Sequence, residues 1–175
     1  MENDINGGRR LKIVMISGSM PPMICGVGDY TFMLLNALSK IQSLDISAIT
    51  SVAANGCEAN FSVVPLMKDW SVKSIFRLLK YIKNKKPDLV HIQYPTLGYN
   101  NYWAPYFMPM MIKILGIPVV QTWHEPPTRY RFFPNALTKD YIIGVEPNFV
   151  KEVRYRYRYL VSRKRKQYIP IGSNI

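Results

Sequence analysis

Apolar positions along this chain follow two rhythms. Short, nearly unbroken apolar runs recur at 11–16, 45–50, 61–66, 88–93, 117–122, 141–145 and 168–171. Runs of that length suit strands buried on both faces of a sheet. Between them the apolar positions return at helical spacing. Tyr30, Met33, Leu34, Ala37, Leu38 and Ile41 predict a helix over 28–40. Ile75, Leu78, Leu79 and Ile82 share one helical face and predict an amphipathic helix over 73–84, with Ser71 placed to cap it and Pro87 to stop it. A helix is expected over 104–115, kinked at Pro109 unless it starts later, and another over 148–158. The stretches 51–60, 94–101 and 123–135 read as loops.

Strands alternating with helices at this spacing predict βαβ units. The expected fold class is α/β, a Rossmann-like parallel sheet with helices on both faces. In such a sheet ligands bind beyond the carboxyl ends of the strands. Three loop segments should meet there, 17–29, 93–102 and 122–131, each carrying polar or aromatic groups that a plain connector does not need.

Composition narrows the class. At 175 residues and 48% hydrophobic, the chain suits one globular domain with a substantial core. Cys25 and Cys57 show no short-range pairing or metal-ligand spacing, which suggests a reducing compartment. The opening MENDINGGRR lacks an apolar signal region, so residues 1–10 read as a disordered leader and export is not expected. The most membrane-like run, 102–120, is broken by Pro105, Pro109, Lys113, Gly116 and Pro118, and reads as a helix followed by a buried strand. The formal net charge of +12 implies an acidic partner, either nucleic acid or an anionic membrane surface.

The loop SGSMPPMICGVGDYT is the richest in candidate chemistry. Gly26, Val27 and Gly28 stand where the first strand hands over to the first helix. Glycines there let a ligand approach the backbone, and the unpaired N–H groups of a first helical turn favour phosphate. A plain strand-to-helix turn is the open alternative. The segment reads GxGxxT without a third glycine, so it is a poor dinucleotide fingerprint, and no GxxxxGK[ST] is present. Instead PP-x3-GVGDYT resembles the opening of the family 4 retaining glycosyltransferases of the GT-B fold, with Cys25 where that family commonly has a first glycine. The resemblance extends from Leu11 to Ile175, and IPIGSNI stands where the family passes into its second domain.

Other residues gain meaning beside that resemblance. His124 directly follows a strand, where an imidazole can bond a sugar hydroxyl or phosphate or act as a base; a structural histidine is the alternative. The family carries a similar T-x-H, and the resemblance makes His124 the catalytic candidate with Glu125 as its acidic neighbour. His91 reads as structural. Tyr94 and Tyr99, among the aromatic and amide residues of 94–103, suit an acceptor-binding lip or packing against the next helix. Arg129 and Arg131 suit an acceptor pyrophosphate or ordinary surface charge. In RYRYRYLVSRKRKQY, the residues Arg154, Arg156, Arg158, Arg163, Lys164, Arg165 and Lys166 form an anion-attracting surface.

The resemblance implies the N-terminal, acceptor-side domain of a hexosyltransferase, residues 11–175, ending at a hinge to a donor-binding domain. It implies a nucleotide-diphosphate sugar as donor substrate, a lipid-linked or glycan acceptor, and a role in polysaccharide biosynthesis. It also implies a cytoplasmic protein held peripherally at the inner membrane face. No metal or other cofactor is expected, because DxD and His/Cys clusters are absent. The E-x7-E of the family's donor domain is also missing, so activity is expected to need that second domain. Two rivals stay open: a basic nucleic-acid-binding α/β domain, disfavoured because no RNP, KH or zinc pattern accompanies the basic run, and a non-catalytic subunit docking a separate donor-binding chain.

Overall fold

The computed structural model describes residues 9–95, 97–125, 132–153 and 155–171. Seven parallel strands form one sheet in the order β3-β2-β1-β4-β5-β6-β7. They are β1 (Leu11–Ile16), β2 (Leu44–Ser51), β3 (Ser62–Met67), β4 (Leu89–Tyr94), β5 (Val119–Trp123), β6 (Tyr141–Gly144) and β7 (Arg165–Tyr168). Among the described residues six α-helices join them: α1 (Gly26–Leu38), α2 (Val72–Lys85), α3 (Met108–Ile114), α4 (Phe133–Leu137), α5 (Phe149–Glu152) and α6 (Tyr155–Ser162). The expected Rossmann-like class is therefore the observed one.

Two cores sandwich the sheet. Met15, Ile46 and Ala48 pack with Leu35 of α1 on one face. The larger core joins Val14, Ile16, Val90, Ile92 and Ile142 to side chains of α2 through α6 on the other. The alternation along β1 divides its neighbours between the two, as a pleated strand must. In α2, Ile75, Leu78 and Ile82 are fully buried. Each such side chain contributes roughly 1.5–3 kcal/mol. Ser71 caps α2 by accepting from Ser74 N at 3.4 Å, and Asp69 accepts from Ser71 Oγ at 2.5 Å, Ser74 Oγ at 2.7 Å and Ser71 N at 2.9 Å. These donors hold the Asp69 carboxyl down at about 2.

Several local expectations change. The first helix begins at Gly26, two residues before the expected start, with Cys25 as its N-cap. Residues 104–115 divide into a 3-10 turn at Ala104–Phe107 and then α3, so Pro109 lies in a first helical turn, where it kinks nothing. The expected loop over 123–135 ends in α4. The single helix over 148–158 is two, parted at Val153, whose ψ of 134° leaves the helical region. The last strand begins at Arg165, inside the basic run, instead of at Tyr168, and pairs with β6 from Tyr141↔Arg165 to Gly144↔Tyr168. Among the described residues no helix is long and apolar enough to cross a membrane. The leader expected over 1–10 lies outside the described residues except for Arg9 and Arg10; Arg9 pairs with Asp88 at 2.6 Å.

Candidate active site

β1 has β2 on one side and β4 on the other, so chain direction across the sheet reverses at β1. The crevice beyond the carboxyl ends of β1 and β4 is where such folds take ligands. The described parts of the segments expected to converge there do so. Gly98 N donates to Ser19 Oγ at 3.0 Å, tying the turn after β4 to the loop after β1. His124 N donates to Tyr94 O at 2.7 Å, tying the end of β5 to the end of β4.

The loop after β1 is held from both sides. Ser17 Oγ donates to Ser19 O at 2.7 Å, and both serines are buried. A Cβ on Gly28 would stand 3.1 Å from Ser19 O, so α1 rests directly on this loop. A Cβ on Gly98 would stand 1.9 Å from Gly18 O, so the two backbones touch only because Gly98 lacks a side chain. Gly26 differs: it is exposed and a Cβ there would meet nothing within 4 Å. Nothing inside the described chain requires glycine at Gly26. The N–H groups of Gly26, Val27 and Gly28 form the first turn of α1, where N–H groups lack intrahelical partners. Ile24, just before, is 98% exposed.

His124 is 8% exposed and lodged between two elements. The Tyr30 ring of α1 meets its imidazole edge-on with centroids 4.9 Å apart. Its Nε2 lies 2.8 Å from Gln93 Oε1 of β4. Gln93 is fully buried and its own Nε2 faces Met15 Sδ at 3.4 Å. With an amide oxygen facing Nε2, that nitrogen carries the proton and Nδ1 keeps a lone pair. Burial lowers the His124 pKa to about 4, so the imidazole is neutral at pH 7. His91 bonds Thr122 Oγ1 at 2.7 Å and is likewise lowered to about 4, first by burial and then by His124. Its hydrogen bond within the sheet agrees with the structural reading.

Other expected site residues separate. Glu125 is exposed beside His124 in sequence. Tyr94 and Tyr99 are not a lip: they are 0% and 3% exposed. Tyr94 OH donates to Pro105 O, and Tyr99 OH donates to Gln93 O at 3.0 Å. Tyr99 also packs edge-on against Trp70 at 4.6 Å. Both rings lie in the larger core, where burial raises their pKa values well above the ordinary phenol range. Tyr102 and Trp103, 39% and 55% exposed, keep the outer position that the aromatic stretch suggested. Arg129, Arg131 and Arg154 lie outside the described residues, as does the Arg156 side chain.

Lys164 also leaves the predicted anion surface. Its side chain is 4% exposed and pairs with the fully buried Asp140 carboxylate. Its ammonium also donates to Asn135 O and Thr138 O. Lys164 precedes β7, so the β6–β7 pairing carries it inward over the start of β6. Arg158, Arg163, Arg165 and Lys166 remain exposed.

Sequence reasoning missed Tyr30 and Gly98 as builders of the site. Tyr30 merged into the apolar stripe of the first helix, and Gly98 belongs to no motif. Gln93 was legible through alternation, since it shares a strand face with His91.

The sequence profile described as Glycosyltransferase Family 4 matches residues 25–171 of this chain. No curated protein matches it. Among solved structures, the crystal structure of Acinetobacter baumannii MurG is similar, with a TM-score of 0.63 at 11% identity, over 94% of this chain and 47% of that one. The chain thus spans about half the length of that protein, and the likeness at this identity is one of fold.

Proposed function

Because the chain belongs to glycosyltransferase family 4, we propose that it forms the acceptor side of the cleft in a retaining transfer of a hexosyl group from a nucleotide-diphosphate sugar to a lipid-linked or glycan acceptor. The observation that carries this reading is His124, held neutral between Tyr30 and Gln93 where β1, β4 and β5 end. In this reading the donor's nucleotide is held by a second domain, in the same chain or another, and turnover needs that domain.

The transfer breaks the bond between the anomeric carbon and the leaving phosphate oxygen. It makes a bond from that carbon to the acceptor hydroxyl oxygen, and the hydroxyl proton departs with the phosphate. Negative charge grows on the leaving phosphate, which the first-turn N–H groups at Gly26, Val27 and Gly28 meet as donors. The open space at Gly26 lets phosphate reach them. His124, with its Nε2 proton committed to Gln93, offers Nδ1 as acceptor for a hydroxyl of the transferring sugar. Glu125 stands next to it at the cleft. No metal or cofactor takes part in this reading.

The exposed Arg158, Arg163, Arg165 and Lys166 suit attachment to an anionic membrane surface at the cytoplasmic face, where lipid-linked acceptors are presented. Salt-sensitive co-sedimentation with acidic liposomes, weakened when Arg163, Arg165 and Lys166 become Ser, is the expected result. Tight RNA binding without liposome binding would favour the nucleic-acid rival.

The test of the transfer is kinetic. With the donor-binding domain present, His124→Ala should lower turnover of nucleotide sugars by on the order of 100-fold, as loss of one aligned group at a reacting centre does. Folding, followed by a thermal melt, should change little. Near-normal turnover by a folded His124→Ala would overturn the assigned role.

A further inference from the structure

A cavity lies at the other end of the sheet. It holds about 770 Å³ and opens where β5, β6 and β7 begin, between the carboxyl ends of α3, α4 and α6. This is the pole opposite His124. Its size is that of an ordinary small-molecule site. Pro118, Val119, Ala136, Leu137 and Leu160 give it an apolar part beside its polar lining.

Its charge is one-sided. Lys113, Lys139, Arg163, Lys164 and Arg165 line the cavity against a single carboxylate, Asp140. That carboxylate is already committed to Lys164, and the ammonium of Lys164 is fully used on Asp140, Asn135 O and Thr138 O. Lys113 donates to Lys139 O, and Arg163 reaches Tyr159 OH at 3.0 Å, both neutral partners. The Lys139 and Arg165 side chains have no hydrogen bond or ion pair among the described residues. Four cations thus line a cavity of mixed character in which, among the described residues, the one lining carboxylate is already paired. Helix carboxyl ends attract cations, which accounts for Lys164 on the carbonyls of Asn135 and Thr138 at the end of α4 and for Lys113 in the last turn of α3. It leaves Lys139 and Arg165 without a structural task.

From this we infer that the cavity is a binding site for a phosphate-bearing amphiphile, an anionic head at Lys139, Arg163 and Arg165 with an apolar tail along Val119, Leu137 and Leu160. Guanidinium groups match phosphate oxygens in bidentate fashion, and two of them with two lysines suit a dianion. The site is separate from the transfer cleft by the length of the strands, so its occupant is not the acceptor undergoing transfer. The same chemistry is offered by a free alkyl phosphate and by the head and upper tail of a membrane phospholipid.

The test uses the full chain and decyl phosphate below its micelle threshold, titrated by calorimetry. Saturable one-site binding is expected, at least about tenfold weaker in Lys139→Gln/Arg165→Gln, a loss of about one logarithmic unit. Both residues are exposed and outside the core, so the variant should fold; a thermal melt verifies it. Inorganic phosphate should bind far more weakly, for want of the tail. Vesicles of acidic phospholipid supply the second arm. Competition with decyl phosphate assigns the site to a lipid head, and its absence, with decyl phosphate still bound, assigns it to a free amphiphile. The inference is overturned if decyl phosphate fails to bind, if the folded double variant binds it equally well, or if decyltrimethylammonium binds as tightly. Because no sugar donor or turnover enters the assay, its outcome is independent of the proposed transfer.

Discussion

Gly98→Ala is the substitution that most directly tests how the loop after β1 is held. A Cβ at Gly98 would stand 1.9 Å from Gly18 O, 2.3 Å from Gly18 C and 2.7 Å from Ser19 Oγ. Two of these are backbone atoms that cannot rotate away. A carbon approaching a carbonyl oxygen needs roughly 3.3 Å, so the two segments must part by roughly 1.4 Å. Neither side yields freely. Tyr99, next to Gly98, is locked by its bond to Gln93 O and its contact with Trp70. Ser19 is locked by Ser17 and by Gly28 of α1, which rests on it. The displacement therefore passes to the mouth of α1. Overpacking of this kind costs about 1–3 kcal/mol of stability. Moving an aligned site by about 1 Å costs on the order of 100-fold in rate. The assay compares kcat/KM of Gly98→Ala with the parent, with the donor-binding domain present, beside urea unfolding of each. Gly26→Ala is the control for the unfolding measurement alone, since its Cβ meets nothing in the chain. A folded Gly98→Ala within about threefold of the parent rate, a difference under 1 kcal/mol in barrier, would refute the claim that this contact positions the loop.

Gly26→Val should leave the melting temperature within a few degrees of the parent yet cut turnover strongly, because the space its side chain fills is open to ligand and not to the chain; unchanged turnover would place the phosphate elsewhere. Lys164→Met should destabilise the chain by about 3–5 kcal/mol in urea unfolding, because it strands the buried Asp140 carboxylate, and adding Asp140→Leu should recover much of the loss; a cost below about 1 kcal/mol would mean Asp140 finds another cation. His91 and His124 both have folded-state pKa values lowered to about 4, so between pH 6.5 and 4 the unfolded chain binds more protons than the folded one. Stability should accordingly fall as pH drops through that window, and His91→Gln should flatten the slope; a profile that is flat from pH 6.5 to 4 in the parent would contradict the buried, neutral state of both rings.

Local pattern alone fixed most of the architecture. The apolar runs and the helical face at Ile75, Leu78, Leu79 and Ile82 are properties of neighbours in sequence, and they placed every strand within two residues except β7, which lies three residues earlier than expected. The order of parallel βαβ units then placed the loops after β1, β4 and β5 at one pole, so Gly26 and His124 could be named before any coordinates. What the sequence could not settle was which way individual side chains turn once distant segments pack. Tyr94 and Tyr99 look like a sugar-binding lip in a loop rich in amides, but Trp70 and Pro105, distant partners, draw both rings into the core. Lys164 reads as one of four consecutive cations, yet the β6–β7 register sets it over Asp140 while Arg163, Arg165 and Lys166 stay in water. Gly98 matters only because Gly18 lies against it, a contact between residues 80 apart whose need for a missing side chain at Gly98 leaves no periodic trace. Periodicity records the face an element buries; the partner it meets there is decided by tertiary packing, because only packing sets the distance between atoms far apart along the chain.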